Sequence, residues 1–171
     1  MDINRFKSEI IPLKDKLFRF ALMYLKNTEK AEDIVHDVFI KLWSKKDDLK
    51  KVKNIEAFSM VITKNLCLDN LKSKKNKTCE LIDYNSGISD KTPYYETQNK
   101  DIGDKIRQIM DTLPEQQKSI IHMRDIEGYG FEEISEILNI NTNTIRVNLS
   151  RARQKIKNTL IEVYNYEPSG Y

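Results

Sequence analysis

Chain breakers are scarce in this sequence, and their placement divides it into two blocks. Glycine and proline supply only 5 and 4 of the 171 residues, well below the typical share of about 12%, which favours long uninterrupted helices. Gly87, Pro93 and Gly103 lie close together around a stretch without sustained apolar periodicity. We therefore predict an all-α protein with two small helical domains joined by a flexible linker. The predicted boundaries are 1–76, linker 77–101, 102–162 and a tail over 163–171.

The first block contains three runs of apolar residues at helical spacing. One run follows Pro12, a second follows Thr28, and a third begins near Ile55 and ends in the basic string KSKKNK. Thr28 is a good N-cap residue, and acidic side chains such as Glu29 follow it at the positive end of the helix dipole. We expect a three-helix domain, and residues 1–76 carry a net charge of +6.

The second block contains a short helix, a three-residue turn and a longer helix. Residues 131–138 have a helical pattern, Asn139-Ile140-Asn141 suits a tight turn, and residues 142–160 are again helical. Asn139 tolerates left-handed backbone, and Asn141 is a good N-cap. This order of elements predicts a helix-turn-helix motif, preceded by helices over residues 102–113 and after Pro114.

The last helix separates an apolar side from a basic one. Ile145, Leu149 and Ala152 recur on one side, while Arg146 and Arg151 point away from it. Residues 142–160 contain five basic and no acidic side chains, and three of the chain's seven arginines lie within residues 146–153. Because arginine can bind a phosphate or a guanine edge through two hydrogen bonds, this face predicts contact with nucleic acid. A solvated charged face is the alternative, which the preceding turn and helix disfavour.

Three strings resemble those of a known family. The second block contains LPEQQKSIIHMRDIEGYGFEEISEILNINTNTIRVNLSRARQKI, and the first contains AEDIVHDVFIKLW and AFSMVITKNLCLDNLKSKK. They resemble regions 4 and 2 of the sigma-70 family, and the chain is similar to the small extracytoplasmic-function (ECF) members that retain only these regions. The resemblance implies a sigma factor that contacts the clamp and flap regions of core RNA polymerase and binds promoter DNA. An anti-sigma factor is a usual partner in this family.

The resemblance also implies roles for side chains of the first block. Asp33, His36 and Asp37 match positions that contact the polymerase clamp helices. The loop over residues 47–54 would hold a base flipped out of the minus-ten element, with Phe58 or the loop itself stacking against it. The predicted minus-ten residues are basic, amide or aromatic: Lys50, Lys51, Lys53, Asn54, Phe58, Lys64, Asn65, Lys72, Lys74 and Lys75.

In the second block, the resemblance implies contacts with the minus-thirty-five element. The matching residues are Arg124, Asn143, Thr144, Arg146, Val147, Asn148, Ser150, Arg151 and Arg153. Val147 and Asn148 differ from the family's commonest Ser and Arg. Because asparagine can pair with adenine and valine can contact a thymine methyl group, we predict a readout that leans toward A/T at these steps.

Two other functions are compatible with parts of the sequence. Asp33 and His36 have the i, i+3 spacing of a metal-binding pair, but a helical di-iron site needs a second such pair and two more carboxylates, and no carboxylate lies three residues before His122. We expect no enzyme activity, cofactor, metal or catalytic residue. A stand-alone helix-turn-helix regulator is the second alternative, although the basic first block argues against it. We further expect a cytoplasmic monomer without a membrane-inserted segment.

Overall fold

The computed structural model describes residues 3–77 and 97–164. These two ranges form two compact units, which in the sequence precede and follow residues 78–96. All regular structure in these two ranges is helical, which confirms the predicted all-α class with two helical domains. None of the helices in the described ranges is both long enough and apolar enough to cross a membrane. Most of the predicted linker lies outside the described residues.

The first unit is built around three long helices. Its elements in chain order are α1 (Ile3–Glu9), a 3₁₀ turn (Ile11–Leu13), α2 (Lys14–Leu25), α3 (Thr28–Ser44), a second 3₁₀ turn (Asp48–Lys51) and α4 (Ile55–Lys77). Helix α2 packs against both α3 and α4. Leu17, Phe20, Val38, Leu42 and Met60 are fully buried between these helices, so the apolar runs seen in the sequence form one core.

Two features of the first unit differ from the sequence prediction. Thr28 is the first residue of α3 and not its N-cap; the cap is Asn27, whose Oδ1 accepts a hydrogen bond from the Lys30 N–H at 2.8 Å. Helix α1 was not predicted at all. Phe6 anchors it, with its ring packed edge-on against the rings of Trp43, at a centroid distance of 5.1 Å, and Phe39, at 6.4 Å.

Over residues 97–164, the second unit contains four α-helices and a π-helical turn. They are α5 (Thr97–Asp111), α6 (Glu115–Ile121), the turn (His122–Ile126), α7 (Phe131–Leu138) and α8 (Thr142–Tyr164). Helix α8 packs against α5, α6 and α7, and Ile120, Met123, Ile134, Ile137 and Ile145 are buried there. Helix α5 begins inside the stretch that was predicted to be linker.

The helix-turn-helix is confirmed, together with both of its predicted asparagines. Asn139 has φ 55°, in the left-handed region, and its N–H donates to the Ser135 carbonyl at the end of α7. Asn141 caps α8, because its Oδ1 accepts a hydrogen bond from the Thr144 N–H at 2.8 Å. Glu133 caps α7 by accepting the Gly130 N–H at 2.8 Å. The bonds of Asn139 and Asn141 fix the turn between the two helices.

Candidate nucleic-acid interface

Helix α8 presents a polar side to solvent, as its periodicity predicts. Ile145, Leu149 and Ala152 are buried, whereas Val147 is 49% exposed. The other exposed residues of this side are Asn143, Arg146, Ser150, Arg151 and Gln154. These positions recur every three or four residues, so they form one continuous strip along about three turns of the helix. Predicted minus-thirty-five residues therefore share a surface that a DNA groove could contact.

Arg146 and Arg124 meet at one aromatic ring. The guanidinium carbon of Arg146 lies 4.9 Å from the ring centroid of Phe131, and that of Arg124 lies 4.8 Å from the same centroid. Arg124 also donates from Nη1 to the Tyr129 carbonyl at 2.7 Å. The structure thus places Arg124, which precedes the helix-turn-helix, at the same ring as Arg146 of α8.

Arg153 has a different environment from Arg146. Its Nε and Nη2 donate to the two carboxylate oxygens of Asp125, at 2.9 and 2.5 Å. These hydrogen bonds raise the pKa of Arg153 above its ordinary value. The planar fork that could bind a phosphate or a guanine is therefore occupied within the protein, and any contact with DNA has to compete with Asp125.

Asn148 is half-buried and bonded within its own unit. Its Nδ2 donates to the Thr144 carbonyl at 2.9 Å and to Gln116 Oε1 at 3.4 Å. Pairing with adenine uses the same amide group, so Asn148 would have to exchange these bonds for bonds to a base. Thr144 is half-buried as well.

A small recess next to this strip contains residues that the sequence prediction missed. Its volume is about 390 Å³, and Phe131, Gln154 and Lys157 line it together with Arg146 and Ser150. Ser150, Gln154 and Lys157 recur at intervals of four and three residues, which places them on one side of α8. This spacing could have indicated that the basic strip continues beyond Arg153.

In the first unit, five of the ten predicted minus-ten residues lie at the start of α4 or in the loop before it. Asn54 is the N-cap of α4, because its Oδ1 accepts the Ala57 N–H at 2.9 Å. Phe58, one turn into the helix, is half-buried. The loop before it is anchored by Leu49, which is fully buried. Lys51 and Lys53 of this loop are exposed.

The remaining predicted minus-ten residues follow along α4. Lys64 is half-buried, whereas Asn65 and Lys72 are exposed. The side chains of Lys50, Lys74 and Lys75 lie outside the described residues. In the described part of α4, no observation contradicts a contact between this helix and the DNA backbone.

One face of α3 carries both the predicted polymerase-contact residues and two apolar side chains. Asp33, His36 and Asp37 are exposed, and Ile40 (55% exposed) and Trp43 (39%) continue the same face toward the end of the helix. The sequence prediction did not include these two apolar residues. In the described ranges, no group of three or more His, Cys, Asp or Glu side chains could hold a metal ion, so Asp33 and His36 have no third ligand there.

An apolar groove runs between α5, the π-helical turn and α8. Its volume is about 960 Å³. Ile102, Ile126 and Ile161 line it with 44%, 52% and 38% of their surfaces exposed. A continuous apolar surface of this kind commonly marks a protein-interaction site.

The helical fold and the exposed basic strip of α8 together define a class of protein. It has two helical units, and the second presents the basic helix of a helix-turn-helix to solvent. Residues 12–77 match the family Sigma-70 region 2, and residues 103–156 match the family Sigma-70, region 4. RNA polymerase sigma factor SigV of Bacillus subtilis is 30% identical, with 81% of each chain covered. ECF RNA polymerase sigma factor SigW of the same organism is 25% identical, with 93% of this chain and 90% of the relative covered.

Solved structures have the same fold. The sigma factor RpoE from Bartonella quintana, in complex with the anti-sigma factor NepR, matches with a TM-score of 0.78 and 22% identity, covering 92% of this chain and 98% of that chain. CnrH in complex with the cytosolic domain of CnrY matches with a TM-score of 0.69 and 16% identity, covering 93% and 89%. The chain belongs to the sigma-70 family, and it is an RNA polymerase sigma factor of the ECF type.

Proposed function

We propose that this sigma factor selects promoters by binding the minus-thirty-five duplex with α8 and capturing minus-ten bases beside the start of α4. The observation that carries the proposal is the exposed strip of α8, on which Asn143, Arg146, Val147, Ser150 and Arg151 share one side. An α-helix fits the major groove, and each good bidentate side-chain contact with a base contributes about 1–3 kcal/mol of discrimination. The protein acts by binding, and the polymerase performs the chemistry.

The minus-ten proposal rests on the loop before α4. Buried Leu49 holds the loop against the core, and the cap formed by Asn54 fixes its junction with the helix. A flipped base needs a fixed pocket and a stacking surface, because unpairing it costs a few kcal/mol. Phe58 would supply the ring, while Lys51 and Lys53 would contact phosphates. The predicted roles of Lys50, Lys64, Asn65, Lys72, Lys74 and Lys75 remain part of this proposal.

We assign docking on the polymerase clamp to the α3 face. Asp33, His36 and Asp37 supply polar contacts at one end, and Ile40 and Trp43 supply apolar surface at the other. An exposed tryptophan next to an exposed isoleucine is the composition expected at the centre of a protein interface, with charged residues at its rim.

We assign the apolar groove of the second unit to a helix of the polymerase flap region. The groove uses the C-terminal half of α8, including Ile156, Leu160 and Ile161, whereas the proposed DNA strip begins at the opposite end of this helix. A partner in the groove could therefore stay bound while α8 contacts DNA. The polymerase is the partner that has to be present at the same time as the promoter.

An anti-sigma factor is the second proposed partner. Its support is the likeness in fold to a sigma factor solved in complex with the anti-sigma factor NepR. The test is co-purification from the source organism followed by run-off transcription with the captured protein added. Inhibition at a one-to-one ratio would support the proposal, and transcription that continues unchanged would contradict it.

The domain proposal keeps residues 1–76 and 102–162 as the two functional domains, with a linker over 77–101 and a tail over 163–171. Helix α5 begins at Thr97, so the last five residues of that linker are helical. The two family matches, to residues 12–77 and 103–156, agree with this division.

Run-off transcription tests the function directly. Purified core polymerase and fragmented genomic DNA of the source organism are combined with and without the full-length protein. We expect discrete new transcripts that disappear with Arg146→Ala plus Arg151→Ala and persist with Glu136→Gln, an exposed control on α7. Absence of transcripts, together with tight sequence-specific duplex binding without polymerase, would instead indicate a stand-alone regulator and contradict the docking assignments.

The two docking surfaces are tested by the affinity of the protein for core polymerase. Asp33→Ala plus Asp37→Ala should weaken it, whereas Asp15→Ala, at an exposed position of α2, should not. Ile126→Glu places a charge in the groove and should lower the affinity at least threefold, with Gln108→Glu on α5 as its exposed control. Unchanged affinity for either test variant would contradict the corresponding assignment.

The proposed A/T-leaning readout has its own test. Binding sites are selected from random duplexes by holoenzyme containing the wild-type protein or Asn148→Arg. We expect a shift from adenine toward guanine at one position, because arginine pairs with the guanine edge. An unchanged site preference would contradict the readout by Asn148, as its bonds to Thr144 and Gln116 would then persist on DNA.

A further inference from the structure

Phe131 is the point at which two arginines from different elements meet. It is the first residue of α7, and its ring is half-buried. The guanidinium carbons of Arg124, in the π-helical turn, and Arg146, in α8, lie 4.8 and 4.9 Å from its centroid. Both distances are within the ~6 Å range of a cation–π contact, and partial burial strengthens such contacts.

Each of the two guanidinium groups is held by the ring and by one hydrogen bond. Arg124 donates to the Tyr129 carbonyl at 2.7 Å, and Arg146 donates to Asn143 Oδ1 at 3.3 Å. Within residues 97–164, neither forms an ion pair with a carboxylate, in contrast to Arg153. An aromatic face attracts the flat side of a guanidinium and leaves the N–H groups at its edge available for a further acceptor.

We propose that Phe131 is a positioning residue for promoter binding, which holds Arg124 and Arg146 with their N–H edges available to a DNA phosphate or guanine. The inference rests on the proposed minus-thirty-five readout. Two like charges at one ring repel each other, and the negative charge of nearby DNA reduces that repulsion. Side chains that are already ordered also lose less conformational entropy on binding. The ring would therefore increase affinity without touching DNA itself.

The test uses holoenzyme reconstituted with the full-length protein and a promoter fragment recovered from run-off transcription. Phe131→Leu keeps an apolar side chain but removes the ring, and we expect binding to weaken about 5- to 30-fold, because two arginines that the ring no longer orders lose conformational entropy on binding. Phe131→Tyr keeps the ring and should bind within twofold of wild type. Glu136→Gln, on the same helix, is the matched control.

A double-mutant cycle separates positioning from a merely structural role. In an Arg124→Ala plus Arg146→Ala background, Phe131→Leu should change the affinity less than twofold, because no guanidinium remains to be positioned. An equal loss in both backgrounds, or no loss in the wild-type background, would overturn the proposal. If Phe131→Leu does not fold, as judged by its thermal melting curve, Phe131→Met takes its place in the same cycle with the same criteria.

A promoter fragment with a scrambled minus-thirty-five element distinguishes a failure of the minus-thirty-five readout from a failure of the role proposed for Phe131. If wild-type holoenzyme binds it as tightly as the intact fragment, the readout itself is wrong and the role of Phe131 falls with it. If the scrambled fragment binds more weakly but the cycle is additive, only the role of Phe131 is wrong.

Discussion

Arg146 and Arg153 lie on the same helix, and the same substitution to alanine should have a different effect at each of them. They are seven residues apart, close to two full turns, so both lie on nearly the same side of α8. Arg146 contacts the ring of Phe131 and keeps N–H groups available, while the fork of Arg153 is bound to both oxygens of Asp125. We expect Arg146→Ala to weaken promoter binding and Arg153→Ala to destabilise the second unit.

The exposure of the groups limits the size of each effect. The Arg153 side chain is 56% exposed and that of Asp125 is 33% exposed, so solvent screens the pair and its contribution is at most about 1 kcal/mol. For a unit of this size, that corresponds to a fall in melting temperature of about 4–8 °C. Loss of a bidentate base contact by Arg146 corresponds to about 1–3 kcal/mol, or roughly 5- to 150-fold in affinity.

Scanning calorimetry of the free protein and salt-dependent holoenzyme binding measure the two effects. Arg153→Ala should lower the melting temperature but change promoter affinity less than threefold. Asp125→Asn should release Arg153 and steepen the dependence of log K on log salt by about 0.9, the value for one added phosphate contact. A loss of affinity in Arg153→Ala as large as in Arg146→Ala, with an unchanged melting temperature, would refute this reasoning and show that Arg153 binds DNA.

Three further predictions concern stability and reactivity. Leu49→Ala should lower the free energy of unfolding of the first unit by about 2–5 kcal/mol, because Leu49 is fully buried. Urea denaturation measures this change, with Val52→Ala at a half-buried position as the control. An equally large effect of Val52→Ala would contradict the prediction. Asn139→Val should destabilise the second unit by about 1–2 kcal/mol and Asn139→Gly should not, because φ is 55°; equal melting temperatures would disprove the strain. Burial raises the pKa of Cys67 to about 12, which lowers the thiolate fraction of this side chain about a thousandfold at pH 8. In a Cys79→Ser variant, iodoacetamide should therefore alkylate Cys67 about a thousandfold more slowly in the native protein than in the urea-unfolded protein. Rapid alkylation of the native protein would show that the thiol is accessible.

The long helices were predictable because their apolar residues repeat at helical spacing over many turns. Helix α1 was not, because it has only seven residues, and so short a helix depends on tertiary contacts. Those contacts are the packing of Phe6 on Phe39 and Trp43, which lie more than thirty positions along the chain. The choice of Asn27 over Thr28 as N-cap has a similar origin, since both are good caps and a local pattern does not distinguish adjacent candidates.

The candidate DNA surface was predictable as a face of α8 but not as a set of side-chain environments. Periodicity places Arg146 and Arg153 on the polar side of the helix. Their different partners depend on how α8 lies against the π-helical turn, which supplies Asp125, and against α7, which supplies Phe131. The separation of 28 residues between Asp125 and Arg153 shows why a pattern confined to one helix could not assign these partners.

Counting charges therefore overstates the DNA-binding capacity of α8. Its sequence contains five basic residues and no acidic one between positions 142 and 160. Arg153 is bound to Asp125, and Lys155 donates to the Thr112 carbonyl beyond the end of α5 at 3.1 Å. Both contribute to holding α8 against the rest of its unit, which leaves Arg146, Arg151 and Lys157 as the basic side chains best placed for phosphates or bases. The arginine-rich string thus divides its side chains between holding α8 in place and the proposed contact with the promoter.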